Sequence, residues 1–143
     1  VTGKFNAVLQ TAAIALFLIL RVASAGWLVL IFIFTVIGPV ILLTHLVTAL
    51  VVARRAALSP LASWGWGLTA FFLLLVGLVL PDFGDSSGGW VPLLALTGGE
   101  KVYGTALNVF SWVGLIGIVG YLASLIVAWA SISRGRPAAA GGR

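Results

Sequence analysis

The chain contains no cysteine. That removes disulfides, thiolate nucleophiles, the Cys-based haem-attachment motif and every Cys-ligated metal site at once. Carboxylates are almost as scarce: Asp82, Asp85 and Glu100 are the only acidic residues, and His45 is the single histidine. Paired carboxylates inside the apolar runs, the usual signature of a proton relay, are therefore excluded. The three acids lie close together in sequence but lack the regular ligand spacing of a calcium loop, so no metal site is expected and the segment reads as a solvated acidic loop. No Gly-rich phosphate loop follows a strand, and no Ser or Thr has a base in its own layer other than His45. The expectation is a protein without catalytic residues and without a bound cofactor.

What fills the chain instead is hydrocarbon: 62% of its 143 residues are hydrophobic and 8% are charged. Such a composition excludes a soluble globular domain. Four apolar stretches, about 5–23, 27–53, 61–80 and 102–132, each have the length a helix needs to cross ~30 Å of hydrocarbon. The expected fold is an all-α integral membrane protein, one domain built as a bundle of four transmembrane helices with one outer loop of about 20 residues. Residues 133–143, with Arg-Gly-Arg-Pro and Ala-Ala-Ala-Gly-Gly, read as a disordered tail.

Charge sets the orientation. Lys4, Arg54, Arg55, Arg134, Arg136 and Arg143 fall on the side of the termini, against Arg21 and Lys101 on the other. Basic residues accumulate on the cytoplasmic side, which places both termini in the cytoplasm. The net charge of +5 then serves orientation and anionic headgroups, and nucleic acid is not an expected partner. Arg outnumbers Lys six to two, and Ala and Gly are abundant. That usage suggests a GC-rich bacterial gene and hence a bacterial plasma membrane. One alternative concerns the first span: Lys4, the apolar run to Leu20 and Ala23-Ser24-Ala25 resemble a cleavable signal peptide, although Arg21 interrupts the run before the cleavage position. Retention as a span is the preferred reading.

Each span carries local signals. In the first, Asn6, Gln10, Arg21 and Ser24 fall close to one stripe, so one face is not for lipid. The second span would be about 39 Å long if straight, and Gly38-Pro39 gives it a reason to kink near mid-membrane. Ser59 can cap the third span, with Pro60 in its first turn. In the fourth, Gly114, Gly117, Gly120 and Ser124 form a small-residue face that invites close helix packing. Tryptophans 27, 64, 66, 90 and 129 fall where membrane interfaces are expected, while Trp112 lies deeper and would use Asn108, one turn earlier, as its partner.

His45 is the one intramembrane group that titrates near neutral pH. It lies about 13 Å from the inner end of its span, and the same counting brings Gln10 and Thr69 to comparable depth. With Thr48 these make a candidate polar layer, in which an amide and a hydroxyl can satisfy both nitrogens of a neutral imidazole. A hydrogen-bonded knot that fixes helix register is the leading reading; a haem would want a second axial histidine from a partner or a second copy, and a quinone pocket stays open. Arg21 either snorkels to water, pairs with Asp82 or Asp85, or binds a lipid phosphate. No family signature is carried by these motifs: a small multidrug exporter needs a carboxylate in its first span, where this chain has Gln10.

The functional expectation is a non-catalytic accessory or scaffold subunit that packs another membrane protein, or a second copy of itself, against the glycine face of the fourth span. The alternative is a small oligomeric transporter or channel lined by the polar stripe of the first two spans. A haem- or quinone-binding membrane anchor using His45 ranks third.

Overall fold

Polar backbone groups have no water to bond with in hydrocarbon, so a chain this apolar resolves into helices. The computed structural model describes residues 1–24, 26–84, 87–99 and 101–134, without the side chains of Ser133 and Arg134. Within them run α1 (Gly3–Ala23), α2 (Trp27–Phe34), α3 (Ile37–Val52), α4 (Pro60–Val79), the two-residue strands β1 (Asp82–Phe83) and β2 (Gly89–Trp90), α5 (Pro92–Leu96) and α6 (Gly104–Arg134). Three helices are long and apolar enough to cross a membrane: α1, α4 and α6 as far as Ile132. Residues 135–143, most of the expected tail, and the acids Asp85 and Glu100 lie outside the described residues.

The helix ends follow the expected chemistry. The Thr2 hydroxyl accepts from the Phe5 N–H at 3.2 Å. Ser59 caps α4 by accepting from the Ala62 N–H at 3.2 Å, and Pro60 occupies the first turn, where its missing N–H costs nothing. The start of α1, the α3–α4 connection and the end of α6 meet at one end of the bundle: the Gly3 N–H donates to the Arg55 carbonyl (3.1 Å), the Leu58 N–H to that of Val1 (2.9 Å), and the Arg55 guanidinium to that of Ile132 (3.1 Å).

The second apolar stretch is not one kinked helix. It divides into α2 and α3, whose axes differ by 71°. The expected cause, Gly38-Pro39, lies just beyond the break rather than at it. Pro39 sits in the first turn of α3, where no intrahelical donor is required. The break itself is at Val36, a β-branched residue with φ of 62°, a conformation that costs about 1–3 kcal/mol and persists only where the surroundings impose it. Gly38 is part of that surrounding, because its missing side chain leaves the space taken by the Phe32 ring.

The largest helix interface joins α4 to α6, which run antiparallel. A side chain at Gly114 would collide with Leu80, at Gly117 with Val76 and at Gly120 with Phe72, each within 2.5–2.8 Å. One turn further, Ser124 lies against Thr69 and Ala128 against Gly65. Each move of three or four residues up α6 is thus matched by a move of three or four residues down α4, which is an antiparallel seam in register. The small-residue face expected to receive a partner is occupied by α4 of the same chain. Gly117→Leu is thus expected to lower the unfolding free energy of the chain itself by about 1–3 kcal/mol through overpacking, read as a lower melting temperature in detergent whatever the oligomeric state; an unchanged melt would contradict the seam.

Candidate functional site: a closed polar knot beside a lateral cavity

Gln10 on α1 organises the buried polar groups. Its Nε2 lies 3.0 Å from the Trp66 carbonyl oxygen and 3.1 Å from Asn6 Oδ1. A carbonyl oxygen only accepts, so the amide nitrogen must face it, and the amide oxygen is thereby aimed at His45 Nε2, 3.0 Å away. His45 must then carry its proton on Nε2 and donate it. Nδ1 is left as an acceptor, and the Tyr121 hydroxyl, 3.1 Å away, donates to it. One backbone carbonyl on α4 thus determines an amide on α1, a tautomer on α3 and a hydroxyl direction on α6.

The imidazole is sealed. His45, Gln10 and Trp66 are each 0% exposed, and the indole of Trp66 stacks on the imidazole at 5.6 Å between centroids. Two donors in this region lack partners, Asn6 Nδ2 and Trp66 Nε1. Thr69 does not reach His45. Its hydroxyl lies 2.8 Å from the Gly65 carbonyl and 3.2 Å from Ser124 Oγ, which lies 3.0 Å from the Tyr121 carbonyl. Thr48 stands one turn from His45, 2.9 Å from its carbonyl, and accepts from the Trp129 indole at 3.0 Å.

Trp66 and Trp112 occupy places other than those expected from the sequence, and Tyr121 joins the site without a strong sequence signal. Trp66, expected as an interfacial anchor, is core; Trp64 beside it is 72% exposed. Trp112, expected to pair with Asn108, points outward at 66% exposure, and no hydrogen bond joins the two among the described residues. Tyr121 was missed. Its only sequence signal is a hydroxyl one residue past Gly120, on a helix whose seam faces inward.

A second constellation fastens the end of the bundle opposite the start of α1. Arg21 donates to Asp82 Oδ2 at 3.0 Å and to the Leu80 carbonyl at 2.7 Å, so it is ion-paired within the chain. Asp82 is fully buried and also accepts from the N–H groups of Gly26 (3.2 Å), Leu28 (2.9 Å) and Phe83 (2.9 Å). It therefore caps α2 from a distant loop, satisfying first-turn amides that Gly26, with no side chain, cannot. Gly26 is required there: a Cβ would stand 2.5 Å from Asp82 Oδ1. Antiparallel pairing of Asp82 with Trp90 holds the carboxylate in place.

Between α1, the broken α2–α3 pair, α4 and α6 lies a cavity of about 410 Å³, walled mainly by aliphatic and phenyl side chains, with Tyr121 and Arg21 among its lining residues. Among the described residues no cluster of His, Asp or Glu is arranged to hold a metal ion. Neither the protein-family models nor the curated proteins nor the solved structures compared with the chain give a match.

Tyr121→Phe leaves His45 Nδ1 without a donor. It should cost about 1–2 kcal/mol of stability. In the unaltered protein, nitrogen NMR of labelled His45 should show a protonated Nε2 and an unprotonated Nδ1; the opposite tautomer would contradict the geometry.

Proposed function

We propose that this chain is a non-catalytic, four-span integral membrane protein, with its termini on the cytoplasmic side of a bacterial plasma membrane, acting as an accessory or scaffold subunit. The closed state of His45 carries this reading. Both ring nitrogens are engaged within the chain and the ring is stacked and sealed. A proton carrier, an axial haem ligand or a pore lining each needs at least one of those nitrogens free or wet. An oligomeric transporter using the stripe of α1 and α3 would have to break the knot to open a path.

Four spans require that α2 and α3 count together as one broken crossing, which their combined length and hydropathy support. The basic residues Arg54 and Arg55 then lie at the end shared by the start of α1 and the end of α6, which favours that end as cytoplasmic.

A partner or a second copy cannot dock on the glycine seam while α4 fills it. The free surface of the same helix is the alternative: only 33% of the apolar window of α6 is buried, against 44% for α1 and 50% for α4. Trp112, Ile116, Val119 and Ile126 project from it.

The test is native mass spectrometry of the chain purified in mild detergent from its host. Co-purifying foreign subunits, or a homo-oligomer that dissociates in a Trp112→Ala, Ile116→Ala double variant of unchanged melting temperature, is the expected outcome. A monomer without partners in both detergent and nanodiscs would overturn the accessory role.

A further inference from the structure

The lateral cavity is built from a defect in the second apolar stretch. Because α2 turns away at Val36, it does not continue the line of α3, and the space left is backed by Phe17 on α1, Leu73 and Val76 on α4 and Ile118 on α6. Its rim includes Leu18, Ile33 and Ile37, all apolar and exposed, a surface suited to face hydrocarbon in a bilayer. Entry from the bilayer needs no passage through polar headgroups.

The electrostatics of the site restrict what can occupy it. Among the described residues Arg21 is the one charged member of the lining, and its charge is already matched by Asp82 while its other terminal nitrogen donates to Leu80. An anionic head would have to compete with a buried carboxylate at 3.0 Å, at the cost of leaving Asp82 unpaired. A cationic head would meet Arg21. The Tyr121 hydroxyl is committed to His45. Among the described lining residues the remaining polar side chain is that of Thr35, exposed at the helix break and able both to donate and to accept. At about 410 Å³ the cavity is at the small end of ligand pockets, which run ~300–1,000 Å³, too small for a two-chained phospholipid.

The geometry points to a ligand site: the cavity holds the hydrocarbon of one neutral, single-chain amphiphile drawn laterally from the bilayer, with a hydroxyl-type head at Thr35. α2 forms its movable wall. No residue of α2 is fully buried, and the helix is held at one end by the Asp82 cap and at the other by the strained Val36. This goes beyond the accessory role and does not depend on it.

The experiment uses the whole chain in phosphatidylcholine vesicles with two photoreactive probes of equal chain length, diazirine-hexadecanol and diazirine-hexadecyl sulfate, and peptide mapping of the adducts. Hexadecanol is expected to label the 73–80 and 118–122 segments, with about tenfold loss on adding unlabelled hexadecanol in excess over the site. The sulfate should label those segments several-fold less. Ile41→Trp, which fills the cavity from α3, should abolish the labelling, and Leu50→Trp, on a lipid-facing part of the same helix, should not. Competition in the unaltered chain decides the matter should Ile41→Trp fail to fold. Labelling spread over all lipid faces and insensitive to competitor would overturn the proposal in favour of ordinary annular lipid, and equal labelling by the sulfate would overturn the neutral head.

Discussion

The Trp66 carbonyl can only accept a hydrogen bond, and much of the buried interior depends on that fact. It orients the Gln10 amide, which sets the His45 tautomer, which sets the direction of the Tyr121 hydroxyl. Four helices are tied by three side chains and one backbone atom. Each bond contributes only ~0.6–2 kcal/mol in a membrane. The more important effect is on alternatives: sliding or rotating any one helix leaves a polar group unpaired in a nearly waterless interior, at ~1–3 kcal/mol or more for each. The knot therefore selects one register among the many that apolar packing would tolerate. The same closure that makes His45 a good register pin makes it a poor carrier of protons or metal.

Two further devices surround the knot. The α4–α6 seam brings backbones together through Gly114, Gly117 and Gly120, and places Ser124 beside Thr69 and Tyr121 at the level of His45. At the end opposite the start of α1, Asp82 is a buried carboxylate balanced by Arg21 and by amides at the start of α2. Breaking such a pair by removing one partner typically costs ~3–5 kcal/mol. The broken second stretch is tolerable because Asp82 supplies the cap that the short α2 lacks and because Pro39 needs no partner in the first turn of α3.

The long apolar helices are legible in the sequence because length and hydropathy alone decide them. Depth was legible too: a rise of ~1.5 Å per residue is enough to set Gln10 and His45 at one level. Rotation about each helix axis was harder. It is fixed by contacts between residues far apart in the chain, so Thr69 turns to Ser124 rather than to His45, and Tyr121, 76 positions from its partner, gave no local signal. Trp66 and Trp112 show the limit from the other side. Indoles at a membrane protein's surface and in its core look alike in composition, so Trp66 lies in the core and Trp112 projects from the surface, against expectation. The glycine face was plain as a packing motif, but a motif of small residues does not say whether the approaching helix comes from the same chain. The break at Val36 had a weak signal in Gly38-Pro39, displaced by two residues because the helix restarts before the proline.

His45 couples α1 to α6 through a single tautomer. A double-mutant cycle in reversible unfolding, combining Gln10→Leu with Tyr121→Phe, tests this, since Gln10 and Tyr121 share the imidazole as a hydrogen-bond partner and have no hydrogen bond to each other. A coupling of ~0.5–3 kcal/mol between them is expected. Additivity within ~0.3–0.5 kcal/mol, the behaviour of independent sites, would contradict it.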